Sequence, residues 1–302
     1  MDLERNTGLG ANGAWARRVA RIVRPKSVVE GAGVRLKRSI ATPELDHIDP
    51  FLLFDQFGSD NPDDYLAGFP MHPHRGIETV TYMLAGALRH RDSIGNAGVI
   101  EAGDVQWMTS GGGILHEEMP ESRDGKMEGF QLWVNLPARL KMSQPRYQEI
   151  LAGRIPEVRR PDGTRIKIIA GAVDGVAGPV TEVAIKPTYL DIAVPANQTL
   201  VLSTERGHSV FAYVFEGSGW FGDETPRSDE PIDSFSLVVL SDGDYVVAHA
   251  SERGLRFMLA SGQPLNEPIA RYGPFVMNTR AEIEQALRDL RNGTFVYRQR
   301  GV

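Results

Sequence analysis

Cysteine is absent from all 302 residues. Its absence excludes disulfides, thiolate ligands and a cysteine nucleophile, so any bound metal must be held by histidine and carboxylate groups. It also fits a reducing compartment. No run approaches the roughly 18 consecutive apolar residues that a membrane-spanning helix needs. The N-terminus carries Asp2 and Glu4 and has no apolar stretch ahead of a cleavage-like site, so neither a secretory nor a transit peptide is expected, and the protein reads as cytoplasmic. Positive charge is short as well. The net charge of −6 disfavours a dedicated nucleic-acid binder, because neutralising phosphates takes a basic face. One segment opposes that average: Arg17, Arg18, Arg21, Arg24, Lys26, Arg35, Lys37 and Arg38 are accompanied between positions 17 and 38 by a single acid, Glu30. Such a run reads as a solvated surface or as an arm against an acidic partner.

Helical periodicity is nearly missing too. Residues 1–14 are rich in Gly and Asn and read as mobile. Beyond them, short runs alternate with turn signals such as Gly31-Ala32-Gly33, Asn61-Pro62-Asp63, Gly95-Asn96-Ala97-Gly98 and Gly111-Gly112-Gly113. The first half offers strands at Glu78–Leu84, Val105–Thr109 and Phe130–Leu136. The second offers Val180–Ile185, Tyr189–Val194, Val210–Phe215, Ser236–Leu240, Asp244–Ala248 and Leu255–Ala260. This pattern predicts an all-β chain of sandwiches or barrels. With 41% hydrophobic and 24% charged residues it can fill two cores of ordinary size. An echo between the halves supports two copies of one architecture: Glu101-Ala-Gly-Asp-Val105 and Ser241-Asp-Gly-Asp-Tyr245. Pro145, Pro156 and Pro161 mark the junction, giving expected domains at 15–145, 146–275 and a tail at 276–302. In the tail, Thr279 and Glu282 form a capping box ahead of Ile283, Ala286, Leu287 and Leu290, with Gly293 as the stop, which predicts a packing helix.

The most informative residues are two pairs, His72-Pro73-His74 and His116-Glu117-Glu118. In a strand, residues i and i+2 lie on one face about 6.6–6.8 Å apart, so each pair can aim both members at a single ion. Glu78 shares the parity of the first pair if its strand runs on unbroken. The candidate ligand sets are therefore His72, His74 and His116 with either Glu118 or Glu78. Glu117 has the opposite parity and should face away, and His90 and Asp92 read as turn-forming or supporting groups. A sulfur-free site of this kind suits Fe(II), Mn, Co, Ni or Zn. The second half has only His208 and His249, and is expected to hold no metal.

Phe54-Asp-Gln-Phe57, His72-Pro-His-Arg-Gly-Ile-Glu-Thr-Val-Thr-Tyr82, His90-Arg-Asp-Ser93, Gly103-Asp-Val-Gln-Trp-Met-Thr109, Gly113-Ile-Leu-His-Glu-Glu-Met-Pro120, Gln131-Leu-Trp-Val-Asn135 and Tyr272-Gly-Pro-Phe-Val-Met-Asn278 resemble the pirin family. The resemblance spans about residues 20–295. It implies two stacked cupin barrels in tandem with a single divalent metal, usually iron, in the first. It further implies His72, His74, His116 and Glu118 as the ligands, and leaves Glu78 outside them. Several pirins resemble quercetin dioxygenases, so the expected activity is cleavage of a flavonol by O₂ with release of carbon monoxide. Glu118 is then the expected base, and Phe54, Phe57, Met71, Trp107 and Met108 the expected lining of the mouth. The alternative reading is a non-catalytic, iron-dependent co-regulator that binds a regulatory protein partner.

Overall fold

A computed structural model describes residues 13–121, 125–222 and 230–296. Most of the N-terminal segment expected to be mobile, up to residue 12, lies outside the described residues, as do residues 297–302 of the tail. The chain opens with β1 (Val19–Val23). There follow β2 (Lys26–Glu30), β3 (Val34–Ile40), β4 (Phe51–Ser59), β5 (Phe69–His74), β6 (Ile77–Ala85), β7 (Ala87–Asp92), β8 (Ala97–Glu101), β9 (Val105–Thr109), β10 (Ile114–Glu121), β11 (Met127–Asn135) and β12 (Arg146–Ile150). Strands β2 to β12 build two antiparallel sheets, one in the order β12-β9-β6-β11-β4-β3-β2 and one in the order β5-β10-β7-β8. Val34, Leu36, Phe57, Met83 and Met127 from the larger sheet share a core with Leu88 and Ile100 from the smaller. The two sheets therefore close on one interior as a barrel, as β-branched, aromatic and methionine side chains at period 2 require.

The second half contributes β13 (Glu157–Arg159), β14 (Arg165–Ala170), β15 (Ala172–Val173), β16 (Val176–Ala177), β17 (Thr188–Val194), β18 (Thr199–Ser203), β19 (Ser209–Phe221), β20 (Ile232–Asp233), β21 (Ser236–Leu240) and β22 (Tyr245–Gly262). Its main sheet runs β1-β21-β19-β22-β17-β14-β13, with β18 on β22 and β20 on β19. The strands expected at 244–248 and 255–260 are one 18-residue strand, β22. It pairs with β18 through Tyr245–His249 and with β17 through Leu255–Ser261, and the intervening irregularity turns it from one wall to the other. One cluster, including Ile168, Leu190, Leu202, Val246 and Phe257, fills this second barrel. The strand expected at 180–185 does not form, since Val180 makes only an isolated bridge to Ala170.

The chain ends with β23 (Ala270–Tyr272), β24 (Phe275–Met277) and α1 (Arg280–Arg291). Thr279 caps α1 and Glu282 closes the capping box, as the sequence predicts. The fold is thus all-β, two barrels in tandem with a short C-terminal helix, but its two compact units are not contiguous in sequence. One comprises Lys26–Ile155, Glu182–Ile185 and the described residues from Leu265 onward. The other comprises the described residues up to Pro25, with Pro156–Thr181 and Lys186–Pro264. The ends exchange because β1 pairs with β21, while the β23–β24 hairpin and α1 pack on the first barrel through Phe275, Ile283 and Phe295 beside Leu115. The basic run is also mostly paired within the chain. Arg17 is buried and donates to Thr204, Glu205, His208 and Ser241, Lys26 pairs with Glu44, Arg35 with Asp64, and Arg38 with Glu30 and Asp55.

Candidate metal centre

Strands β5 and β10 lie side by side, and their register sets His72 directly opposite His116, with Ile114 opposite His74. Pro73 is tolerated because β5 is an edge strand of its sheet and needs no amide donor on its open side. The imidazoles converge: ring centroids are 4.4 Å apart for His72 and His116, 4.9 Å for His72 and His74, and 5.0 Å for His74 and His116. Their ligand nitrogens all lie within 4.8 Å of one another. His72 Nδ1 donates to the Pro70 carbonyl at 2.9 Å, which fixes its tautomer and leaves the Nε2 lone pair 3.1 Å from His74 Nε2.

The three-histidine cluster fits a divalent metal on its own terms. Both ring nitrogens of His116 are buried without a hydrogen-bond partner among the described residues, a costly condition that a cation shared with the other two rings would relieve at one of them. Burial, reinforced by the neighbouring imidazoles, pushes the protonation of His74 and His116 well below the ordinary histidine range. Neutral imidazole is the form that binds metal.

A register irregularity follows His116, and Glu118 then stands outside the group of convergent nitrogens, on the wall of a cavity it shares with His72 and His74, accepting a hydrogen bond from Thr81 Oγ1 at 3.0 Å. Glu78 does not share the histidines' strand. Gly76, at φ +80°, turns the chain out of β5 into the other sheet, where a Cβ would lie 2.0 Å from the Val276 carbonyl. On β6, Glu78 has the opposite parity to Thr81, and its carboxylate accepts from Thr109 Oγ1 at 2.7 Å. Burial raises its protonation. Glu117 faces away and pairs with the exposed Arg91. His90 is buried 2.8 Å from a Glu149 oxygen and stacked near Tyr147, and Asp92 caps its turn by accepting from the Ile94 and Asn96 amides. In the second barrel, His249 meets Thr199 Oγ1 at 2.7 Å and His208 lies 3.3 Å from Ser261 Oγ.

The cavity measures about 570 Å³. His72, His74 and Glu118 stand on its wall with Leu53, Phe57, Phe69, Leu88, Met127 and Trp133. Of the five expected mouth residues only Phe57 lines it. Phe54 and Trp107 have the opposite parity on their strands, Met71 projects to solvent, and Met108 is buried away from the lining. Sequence reasoning missed the polar row beneath the cavity. Arg38, Asp55, Gln131 and Thr81 are successive cross-strand partners on β3, β4, β11 and β6. Gln131 donates to Thr81 at 3.1 Å and Arg38 clamps Asp55 through bonds of 2.9 and 2.8 Å. Trp133, edge-on to His74 at 5.1 Å, was missed as well.

Two antiparallel barrels, the first with three convergent histidines opening on an apolar chamber, define a bicupin with a candidate mononuclear metal centre. A family model described as Pirin matches residues 33–134, and one described as the Pirin C-terminal cupin domain matches residues 189–296. A pirin-like protein of Caulobacter vibrioides is 46% identical over 92% of this chain and 99% of its own length. A Pseudomonas aeruginosa protein, provisionally named a quercetin 2,3-dioxygenase, is 48% identical over 87% of this chain and 93% of its own. The crystal structure of a quercetin 2,3-dioxygenase from Acinetobacter baumannii superposes with a TM-score of 0.83 at 33% identity, covering 93% of this chain and 98% of the other. The chain belongs to the pirin family.

Proposed function

We propose that this protein is a metal-dependent dioxygenase that cleaves flavonols such as quercetin, consuming O₂ and releasing carbon monoxide. The observation that carries the reading is a histidine cluster that opens on a chamber of about 570 Å³ instead of being sealed as a structural brace would be. That volume falls in the range of about 300–1,000 Å³ usual for small-molecule sites, and its mostly apolar walls suit a flat aromatic. His72, His74, His116 and Glu118 would hold the ion, and Fe(II) is the metal of this reading. Bound there, it would supply Lewis acidity and redox capacity.

The chain's own groups do the rest. His72 presents a fixed lone pair because Pro70 holds its other nitrogen. Thr81 occupies Glu118 Oε1, leaving the second carboxylate oxygen to meet the ion or to take the proton of the substrate hydroxyl. Phe57, Leu53 and Trp133 pack the rings and exclude water. The names of its relatives, a Pseudomonas aeruginosa protein and an Acinetobacter baumannii crystal structure called quercetin 2,3-dioxygenases, support the reading. The test is an aerobic quercetin assay on metal-defined protein with carbon monoxide detection. Stoichiometric carbon monoxide above the metal-free control supports it, and its absence with iron, manganese, cobalt and nickel alike would overturn it in favour of a non-catalytic regulator.

A further inference from the structure

The first barrel's cavity has a second polar feature that neither the metal cluster nor the expected base accounts for. Strand β23, from the C-terminal segment, places Arg271 on the cavity wall, beside Gly273 and Pro274. The guanidinium carbon lies 5.3 Å from the centre of the Trp133 ring, whose other neighbour is the His74 imidazole at 5.1 Å. One indole therefore spans the interval between the metal end and this cation. Arg271 Nη1 donates to the Leu52 carbonyl at 3.2 Å, and the carboxylates of Asp46, Asp55 and Glu30 act on its guanidinium through their charge. Asp55 and Glu30 share the cavity, but both are taken up by Arg38. The side chain is exposed on one side, so its remaining N–H groups are open to a ligand that fills the chamber.

We propose that Arg271 is a specificity-determining residue, receiving a phenolic oxygen on the substrate ring remote from the metal. The inference rests on the flavonol reading above. Stacking on Trp133 spends the face of the guanidinium and leaves its edge for hydrogen bonding, which is the geometry arginine uses for planar oxygen-bearing partners. Burial and the nearby Arg38 cation lower the protonation of Arg271 against the opposing charges of Asp46, Asp55 and Glu30, and an electron-rich oxygen at its edge would add to the groups that favour the cation. A ligand without that oxygen gains only the apolar walls.

The experiment compares quercetin with 3-hydroxyflavone, which keeps the chelating 3-hydroxyl and 4-carbonyl and lacks the other ring hydroxyls. Anaerobic equilibrium binding to metal-loaded parent, Arg271→Met and Arg271→Lys gives the dissociation constants, with metal content and thermal midpoint as folding controls. The methionine variant keeps Trp133 covered. It should lose quercetin affinity by about ten- to a hundredfold, the scale of a charged hydrogen bond, with 3-hydroxyflavone held within about threefold. The lysine variant should recover part of the difference, and aerobic kinetics should show the loss in KM with kcat largely kept. Equal losses for both ligands, or none, would overturn the role of Arg271 while the flavonol reading stands. A parent that binds neither ligand overturns both.

Discussion

In the proposed reaction Glu118 is the base, the role that would distinguish an enzyme from a metal-stabilised fold. Its Oε1 is held by Thr81, whose hydroxyl is oriented in turn by Gln131, so the carboxylate enters the cavity with one oxygen fixed. Glu118→Gln keeps the volume and an oxygen donor while removing the charge and most of the basicity. Turnover of quercetin at equal metal content should fall by about 10²–10⁴-fold, with autoxidation subtracted using metal-free protein. Unchanged turnover would assign the proton to solvent or another group. Glu118→Ala should also weaken metal binding more than Glu78→Ala, because Glu78 lies across the sheet, hydrogen-bonded by Thr109. The histidines were legible because His-x-His and His-x-Glu are period-2 signals that need no tertiary information. The cavity wall was not. Strands β4, β6 and β9 are buried along nearly their whole length on both faces, so no alternation of polar and apolar residues says that Phe57 points inward and Phe54 does not.

At the scale of elements, Lys141 is a buried polar link between the C-terminal hairpin and the first barrel, beside their apolar contacts. Its ammonium is buried and donates to the Gly76 carbonyl at 2.9 Å, Asn135 Oδ1 at 2.7 Å and the Val276 carbonyl at 2.8 Å. It thereby ties β24 to the turn that separates the histidine strand from β6. Burial lowers its protonation to about 8 from an ordinary value of 10.5. Between those values the unfolded chain holds a proton that the folded chain has released, so this group makes stability rise with pH across that window. Lys141→Met should remove that rise. Denaturant melts of parent and variant from pH 7.5 to 10.5 isolate it as a difference, and parallel pH profiles would refute it. The variant should also be less stable by about 2–4 kcal/mol, since three buried acceptors lose their donor. The helix α1 was fully legible, for its capping box and i, i+3, i+4 spacing are local. The length of β22 was not, because the exposed Glu252 and Arg253 in its middle interrupt the apolar pattern of its two ends.

At the scale of the molecule, the repeat of architecture is not a repeat of chemistry. Both barrels follow a Gly-Asp turn with a strand, at Val105 and at Tyr245, yet the convergent ligand group found among the described residues is the one formed by His72, His74 and His116. The all-β class and the two-barrel plan were legible from turn spacing, whereas the exchange of chain ends between the units was not, because short strands such as β1 and β23 carry no sign of their partner. The asymmetry predicts one metal per chain. Elemental analysis after reconstitution and desalting should return a single equivalent, and His72→Ala or His116→Ala should each lower it sharply. Metal should also stabilise the fold by mass action, about 2.7 kcal/mol at a free concentration a hundred times the dissociation constant, because only the folded chain brings the three imidazoles together. The thermal midpoint should therefore rise with added metal in the parent and stay flat in His116→Ala. Two equivalents per chain, or a midpoint that responds equally in the variant, would place the stabilising ion elsewhere than between β5 and β10.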